Sequence, residues 1–283
     1  MHGLAAFAVP LAAAALMFTD PGKPAAGGGV RADVAAAASY ATSRGAAAGV
    51  AVLDTTDGKV WLAGEHSRTF SSASVVKVMI AARLLVTGRM RGDIATTARR
   101  MIARSDDDAA NALYGLVGGD GLINWTKAHY GVPSLGHPPS PPGRWGNTRV
   151  TPRGIVALYA KLKADPAVAP WLLDAMRRST PYGADGQFQH FGIPAATRDF
   201  ALKQGWTCCD AGVATFASTG FVDQDRYAVV LFADGPPYTY GEHLTRTLNG
   251  MARALLRGGT IDRPAPPPAP APTPLHQRCR FAD

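Results

Sequence analysis

The chain has 283 residues, of which 47% are hydrophobic and 18% charged, and carries a net charge of +8 from 29 basic and 21 acidic side chains. That length supports one sizeable or two small cores. The basic excess forms no arginine–aromatic stripe and no nucleic-acid motif, which argues against a nucleic-acid partner and leaves a mild field favouring acidic substrates.

Residues 4–18 are an alanine-rich apolar run with the length of a secretory h-region, too short to span a bilayer, and residues 24–29 offer a cleavage region and linker. Residues 1–29 therefore read as a signal-like segment, although only His2 supplies an n-region and no cysteine follows to suggest a lipid anchor. A weak helix is expected over 30–44, then a hairpin of strands 48–54 and 59–63 turned at Asp57-Gly58.

Residues 73–82 are apolar on every side of Lys77, as in a buried helix, and Ser74 lies three residues before that lysine. A buried ammonium must be paired or lose its proton, and a neutral lysine one turn from a serine can activate it as a nucleophile. The bland alternative is an edge helix with a snorkelling lysine. A helix over 101–114 carries Ser105-Asp106-Asp107 and Asn111 and runs into a Gly118-Gly119 turn. Its acids could simply cap the helix. Further helices are expected over 122–130 and 151–163.

Lys203-Gln204-Gly205 falls in a strand over 200–207, followed by strands 213–222 and 226–233 in an antiparallel meander. A closing helix over 242–257 places Leu244, Leu248, Met251, Leu255 and Leu256 on one face and stops at Gly258-Gly259. Residues 264–274 hold seven prolines, so 261–283 reads as an extended tail able to contact the cell envelope, and 30–260 as the folded domain. Cys208 and Cys209 are vicinal and Cys279 stands in the tail; pairing of one of them with Cys279 and a pair of buried thiols are both open. The histidines lack metal-ligand spacing, there is no Gly-x-Ser-x-Gly elbow, and Trp145 and Trp171 read as core or rim packing.

Ser74-Val-Val-Lys77, Ser105-Asp106-Asp107 and Lys203-Gln204-Gly205, in that order, resemble the S-x-x-K, S-D-N and K-T-G elements of class A β-lactamases and penicillin-binding D,D-peptidases. The likeness covers about residues 45–258. It implies an α/β protein with the β-lactamase/transpeptidase-like αβα fold, an antiparallel sheet flanked by terminal helices plus an all-helical lobe. It implies Ser74 as nucleophile, Lys77 as base and Ser105 as proton relay to the leaving nitrogen. Asp107, Lys203, Gln204, Gly205 and Trp206 would contact substrate, and the amides of Ser74 and Trp206 would form the oxyanion hole. The substrate would be a β-lactam, a wall-derived peptide or an ester, with no cofactor or metal, in an exported monomer.

Three departures bear on activity. The region 133–152, where class A enzymes carry the glutamate that activates the deacylating water, holds no acid. Losing a general base costs about 10²–10⁴-fold, so a long-lived acyl-enzyme and weak β-lactamase turnover are expected. Asp107 stands for an asparagine and cannot donate to an acyl group when ionised. Gln204 stands for a threonine. A catalytically silent envelope binding protein, or a D,D-peptidase or esterase, are the alternatives these departures leave open.

Overall fold

A computed structural model describes residues 29–261; the signal-like segment, the proline-rich tail and Cys279 lie outside the described residues. Eight helices and eight strands follow one another as α1 Val30–Ser43, β1 Ala47–Asp54, β2 Val60–Gly64, β3 Phe70–Ser71, α2 Lys77–Val86, α3 Gly92–Ala103, α4 Asp107–Tyr114, α5 Leu122–Tyr130, β4 Gly136–His137, β5 Arg149–Val150, α6 Pro152–Ala164, α7 Ala169–Arg177, β6 Phe200–Asp210, β7 Val213–Val222, β8 Tyr227–Gly235 and α8 Glu242–Leu255, counted among the described residues. Sheet order is β2-β1-β8-β7-β6, antiparallel throughout, and β3, β5 and β4 make a second small sheet.

Both faces of the large sheet are covered, which is why β8 is buried along its whole length and β1 along all but its first residue. On one face α1 and α8 supply apolar stripes, Val30, Val34, Ala37 and Ala41 from the first and Leu244, Leu248, Met251 and Leu255 from the second, against Val50, Val229 and Leu231. On the other face sits the helical lobe, whose centre is α2. Its residues Val78 to Ala82 and Leu84 are buried, so the helix is apolar all round as its sequence predicts.

Two helices, α3 and α7, are additional to those expected, and the single helix expected over 101–114 is broken. The chain leaves α3 at Ala103, turns through Ser105 in the left-handed region (φ 52), and restarts at Asp107. Asp106 caps the new helix by accepting the Ala109 N–H at 2.9 Å, and Asp107 and Asp108 stand in its first turn, where their charge opposes the helix dipole.

At the head of α6 the Thr151 hydroxyl accepts the Gly154 N–H at 2.9 Å and donates to the Ser134 carbonyl at 2.7 Å, tying the loop to the helix. Thr151→Ala is expected to lower stability by about 1–2 kcal/mol in chemical denaturation, with an unchanged slope.

Candidate active site

The serine and the lysine of the first motif lie at a change of helix type. Ser74 is in a 3₁₀ turn, Ala73–Val76, and Lys77 opens α2. Residues three apart eclipse in a 3₁₀ turn, so the two side chains leave the same side. Ala73 carries φ 44, a conformation that costs a non-glycine residue about 1–3 kcal/mol, immediately before Ser74. Ser74 is 6% exposed.

Ser105 gathers the two lysines. Its carbonyl accepts from Lys77 Nζ at 2.7 Å and its hydroxyl from Lys203 Nζ at 2.9 Å. The left-handed backbone at Ser105 is what turns both groups toward the interior. Asp107, first residue of α4, takes a further proton of Lys77 at 2.5 Å while keeping its own side chain 63% exposed. Lys77 therefore gives its protons to Ser105 and Asp107 and is hydrogen-bonded to Ser74 by none of them. Burial lowers the Lys77 pKa, against the pull of Asp107 in the opposite direction. Burial, with Lys77 close by, pushes Lys203 well below the usual lysine range.

β6 is an edge strand that meets the Ser74 turn. The meeting is close at Gly205, where a Cβ would stand 3.0 Å from the Ser72 carbonyl oxygen and 3.2 Å from the Ser74 nitrogen. Lys203 faces the lobe and also donates to the Gln204 carbonyl at 2.8 Å. Gln204, expected among the substrate contacts, is on the opposite face: it is buried, and its amide donates to the Phe191 carbonyl at 2.5 Å. Strand alternation imposes this, because neighbours on a strand cannot share a face. Trp206 remains partly exposed beside Gly205, its indole N–H donating to Asp185 at 3.1 Å.

Beyond Trp206 a bulge between Thr207 and Asp210 ends the regular pairing with β7. Cys208 and Cys209, bonded to each other within it, are both exposed, so the expectation of buried thiols does not hold, and a bond to Cys279 falls outside the described residues. Asp210 then fastens β6 to the lobe, accepting from Ser71 Oγ at 2.6 Å, Asn147 at 3.2 Å and Arg149 at 2.7 Å.

The loop without an acid is at the site nonetheless. Trp145 lies with its ring centroid 4.8 Å from Lys77 Nζ, and its indole donates to Asn111 Oδ1 at 2.8 Å. Reading it as packing missed this; its place in the loop searched for a glutamate was the available signal. Asp185, too, went unnoticed, because nothing local marks an exposed aspartate in a glycine-rich loop.

The architecture is that of the serine β-lactamases and penicillin-binding proteins. Among solved structures, a β-lactamase from Chitinophaga pinensis aligns with TM-score 0.62 at 15% identity, over 77% of this chain and 96% of its own. An ancestral class A β-lactamase aligns at 0.60 and 18%, over 78% and 97%. PBP-A, solved as an acyl-enzyme complex with penicillin G, aligns at 0.58 and 19%, over 77% and 93%. No family profile matches the chain. It is 30% identical over 237 residues, 77% of its length and 74% of theirs, to the "Putative lipoprotein LppW" of Mycobacterium tuberculosis and of Mycobacterium bovis. The chain belongs to the family of LppW.

Lys203 is buried without a carboxylate hydrogen-bonded to it, so the folded state resists its charge while the unfolded chain does not. With the folded pKa lowered, the unfolded state binds the proton more tightly, and the cost shrinks as pH rises toward the unfolded value of about 10.4. Lys203→Met is therefore expected to be at least as stable as the wild type at pH 7, by thermal denaturation, with the difference narrowing by pH 10.

Proposed function

We propose that the protein is an exported serine hydrolase of the cell envelope that forms an acyl-serine intermediate at Ser74. The observation that carries this reading is the shared placement of two buried lysines on one serine, Ser105, beside the Ser74 turn. A fold with no chemistry to perform gains nothing from burying two ammonium groups, and each costs several kcal/mol unless partnered. Export is supported by the apolar run over residues 4–18 and by the lipoprotein name of the relatives; among the described residues no helix is long and apolar enough to cross a membrane.

In the proposed cycle Ser74 attacks an ester, amide or lactam carbonyl, and its proton passes to Lys77 in the fraction of molecules where burial has left that amine neutral. The amides of Ser74 and Trp206 hold the oxyanion. Ser105, held by Lys203, gives its hydroxyl proton to the leaving nitrogen or oxygen and is reprotonated by the Lys77 ammonium, which restores the neutral amine. Deacylation is the slow step, because Trp145 rather than a carboxylate covers Lys77 from the loop side and supplies no base for water. Asp107 slows acylation as well: its charge 2.5 Å from Lys77 holds the ammonium form.

Intact-mass analysis of the full chain exposed to penicillins, cephalosporins and activated esters tests the assignment. A persistent adduct on Ser74 is expected, absent in Ser74→Ala and slowed by about 10²-fold or more in Lys77→Ala. A wild type that reacts with nothing in the panel is the silent binding protein instead.

Asp107→Asn removes the pull that raises the Lys77 pKa and leaves burial to lower it further. More neutral amine is then present at a given pH. The rising alkaline limb of the acylation rate is expected to move to lower pH, with faster acylation near pH 7; stopped-flow rates across pH for both proteins measure it.

A further inference from the structure

The helical lobe holds an open cleft of about 430 Å³ between α3 and α7, and neither Ser74 nor either buried lysine lines it. Along α3, Ala95, Arg99 and Ala103 recur one turn apart and therefore share a face. The two alanines are too short to fill the space in front of them, which leaves the cleft open. Trp171 of α7 is its aromatic wall, with the Arg99 guanidinium 5.3 Å from the ring centroid. Three more arginines line the same space: Arg100 on α3, and Arg104 and Arg178 just beyond the ends of the two helices.

These charges do not cancel. Asp174 alone answers both Arg99, at 2.6 Å, and Arg178, at 3.0 Å. Arg100 pairs at 3.1 Å with Asp106, whose other oxygen caps α4. Arg104 is exposed and has no carboxylate partner among the described residues. Asp185 comes near, since Ala184 donates to the Arg104 carbonyl, but its two oxygens are taken by the Gln187 N–H and the Trp206 indole. Four guanidinium groups around one cleft thus face two carboxylates, a surplus of two positive charges.

The residue types narrow what would balance that surplus. A guanidinium presents parallel N–H pairs that match the oxygens of a phosphate, and several can share one phosphate group. A carboxylate ligand would bring one charge and two oxygens, whereas a phosphate monoester brings close to two charges and three terminal oxygens near neutral pH. Trp171 and the alanines beside it offer the remainder of such a molecule an apolar surface.

We propose that the cleft between α3 and α7 is a binding site for an organic phosphate monoester, with the phosphate among Arg100, Arg104 and Arg178 and the organic body against Trp171. The site is separate from the acyl-serine reading and stands or falls by binding alone.

Phenyl phosphate is the probe, titrated into the full chain while the tryptophan indole N–H resonances are followed by NMR, with the Trp171 signal assigned by its loss in Trp171→Phe. A saturable shift of the Trp171 resonance is expected, weakening as salt is added. Arg104→Gln is expected to loosen binding about tenfold, and because Arg104 has no partner to lose, that loss reports the ligand contact and not the fold. Arg253→Gln, which removes the same charge from an exposed position on α8 across the sheet, should leave binding unchanged. Inorganic phosphate should compete more weakly than phenyl phosphate, benzoate more weakly still, and benzylamine not at all. No saturable shift of Trp171, equal losses in Arg104→Gln and Arg253→Gln, or a comparable shift with benzylamine overturns the site. Benzoate binding as tightly as phenyl phosphate overturns the choice of phosphate, and inorganic phosphate binding as tightly overturns the contact of an organic body with Trp171.

Discussion

Lys77 and Lys203 are drawn into the protein on either side of Ser105, and each needs polar partners that an apolar lobe and a sheet do not ordinarily supply. Ser105 can serve both only by presenting its carbonyl to one and its hydroxyl to the other, which requires the left-handed backbone that interrupts what would otherwise be one helix. Asp107 then reaches Lys77 because α4 restarts at that residue. The break, the cap at Asp106 and the exposed carboxylate of Asp107 are consequences of accommodating two amines around one serine.

The second requirement is that an edge strand and a helical lobe stay in register with each other. Gly205 permits the backbone of β6 to approach the Ser74 turn, and Asp210 fixes the far end of the strand to Ser71, Asn147 and Arg149. Those residues belong to the segments that also position Ser72 and Trp145, so one clamp holds the strand, the Ser74 turn and the covering loop together. The fold is shared with β-lactamases at 15–19% identity, and around Lys77 this chain sets Trp145 over the amine and Asp107 beside it.

Much of this was legible from short stretches of chain. The apolar surroundings of Lys77, the β-rich runs of β7 and β8 and the apolar stripe of α8 are set by neighbours within a turn or a strand pair, and the structure follows them. Period-two alternation also implied that Lys203 and Gln204 face opposite ways, a signal that the motif likeness overrode. The helix interruption at Ser105 left no such trace, since a serine in the left-handed region has no glycine to announce it.

By itself the sequence determined which residue types could do chemistry and on which local element each would sit, because periodicity and capping are properties of a few consecutive residues. Only the tertiary structure decided that Trp145 would cover Lys77, that Asp210 would clamp β6 to the lobe, and that Asp185 would accept the Trp206 indole N–H. Trp145 and Asp210 owe their contacts to segments some 30 to 140 residues away in the chain, and Asp185 to one 21 residues away, brought together by the packing of the lobe against the sheet, which no local pattern records.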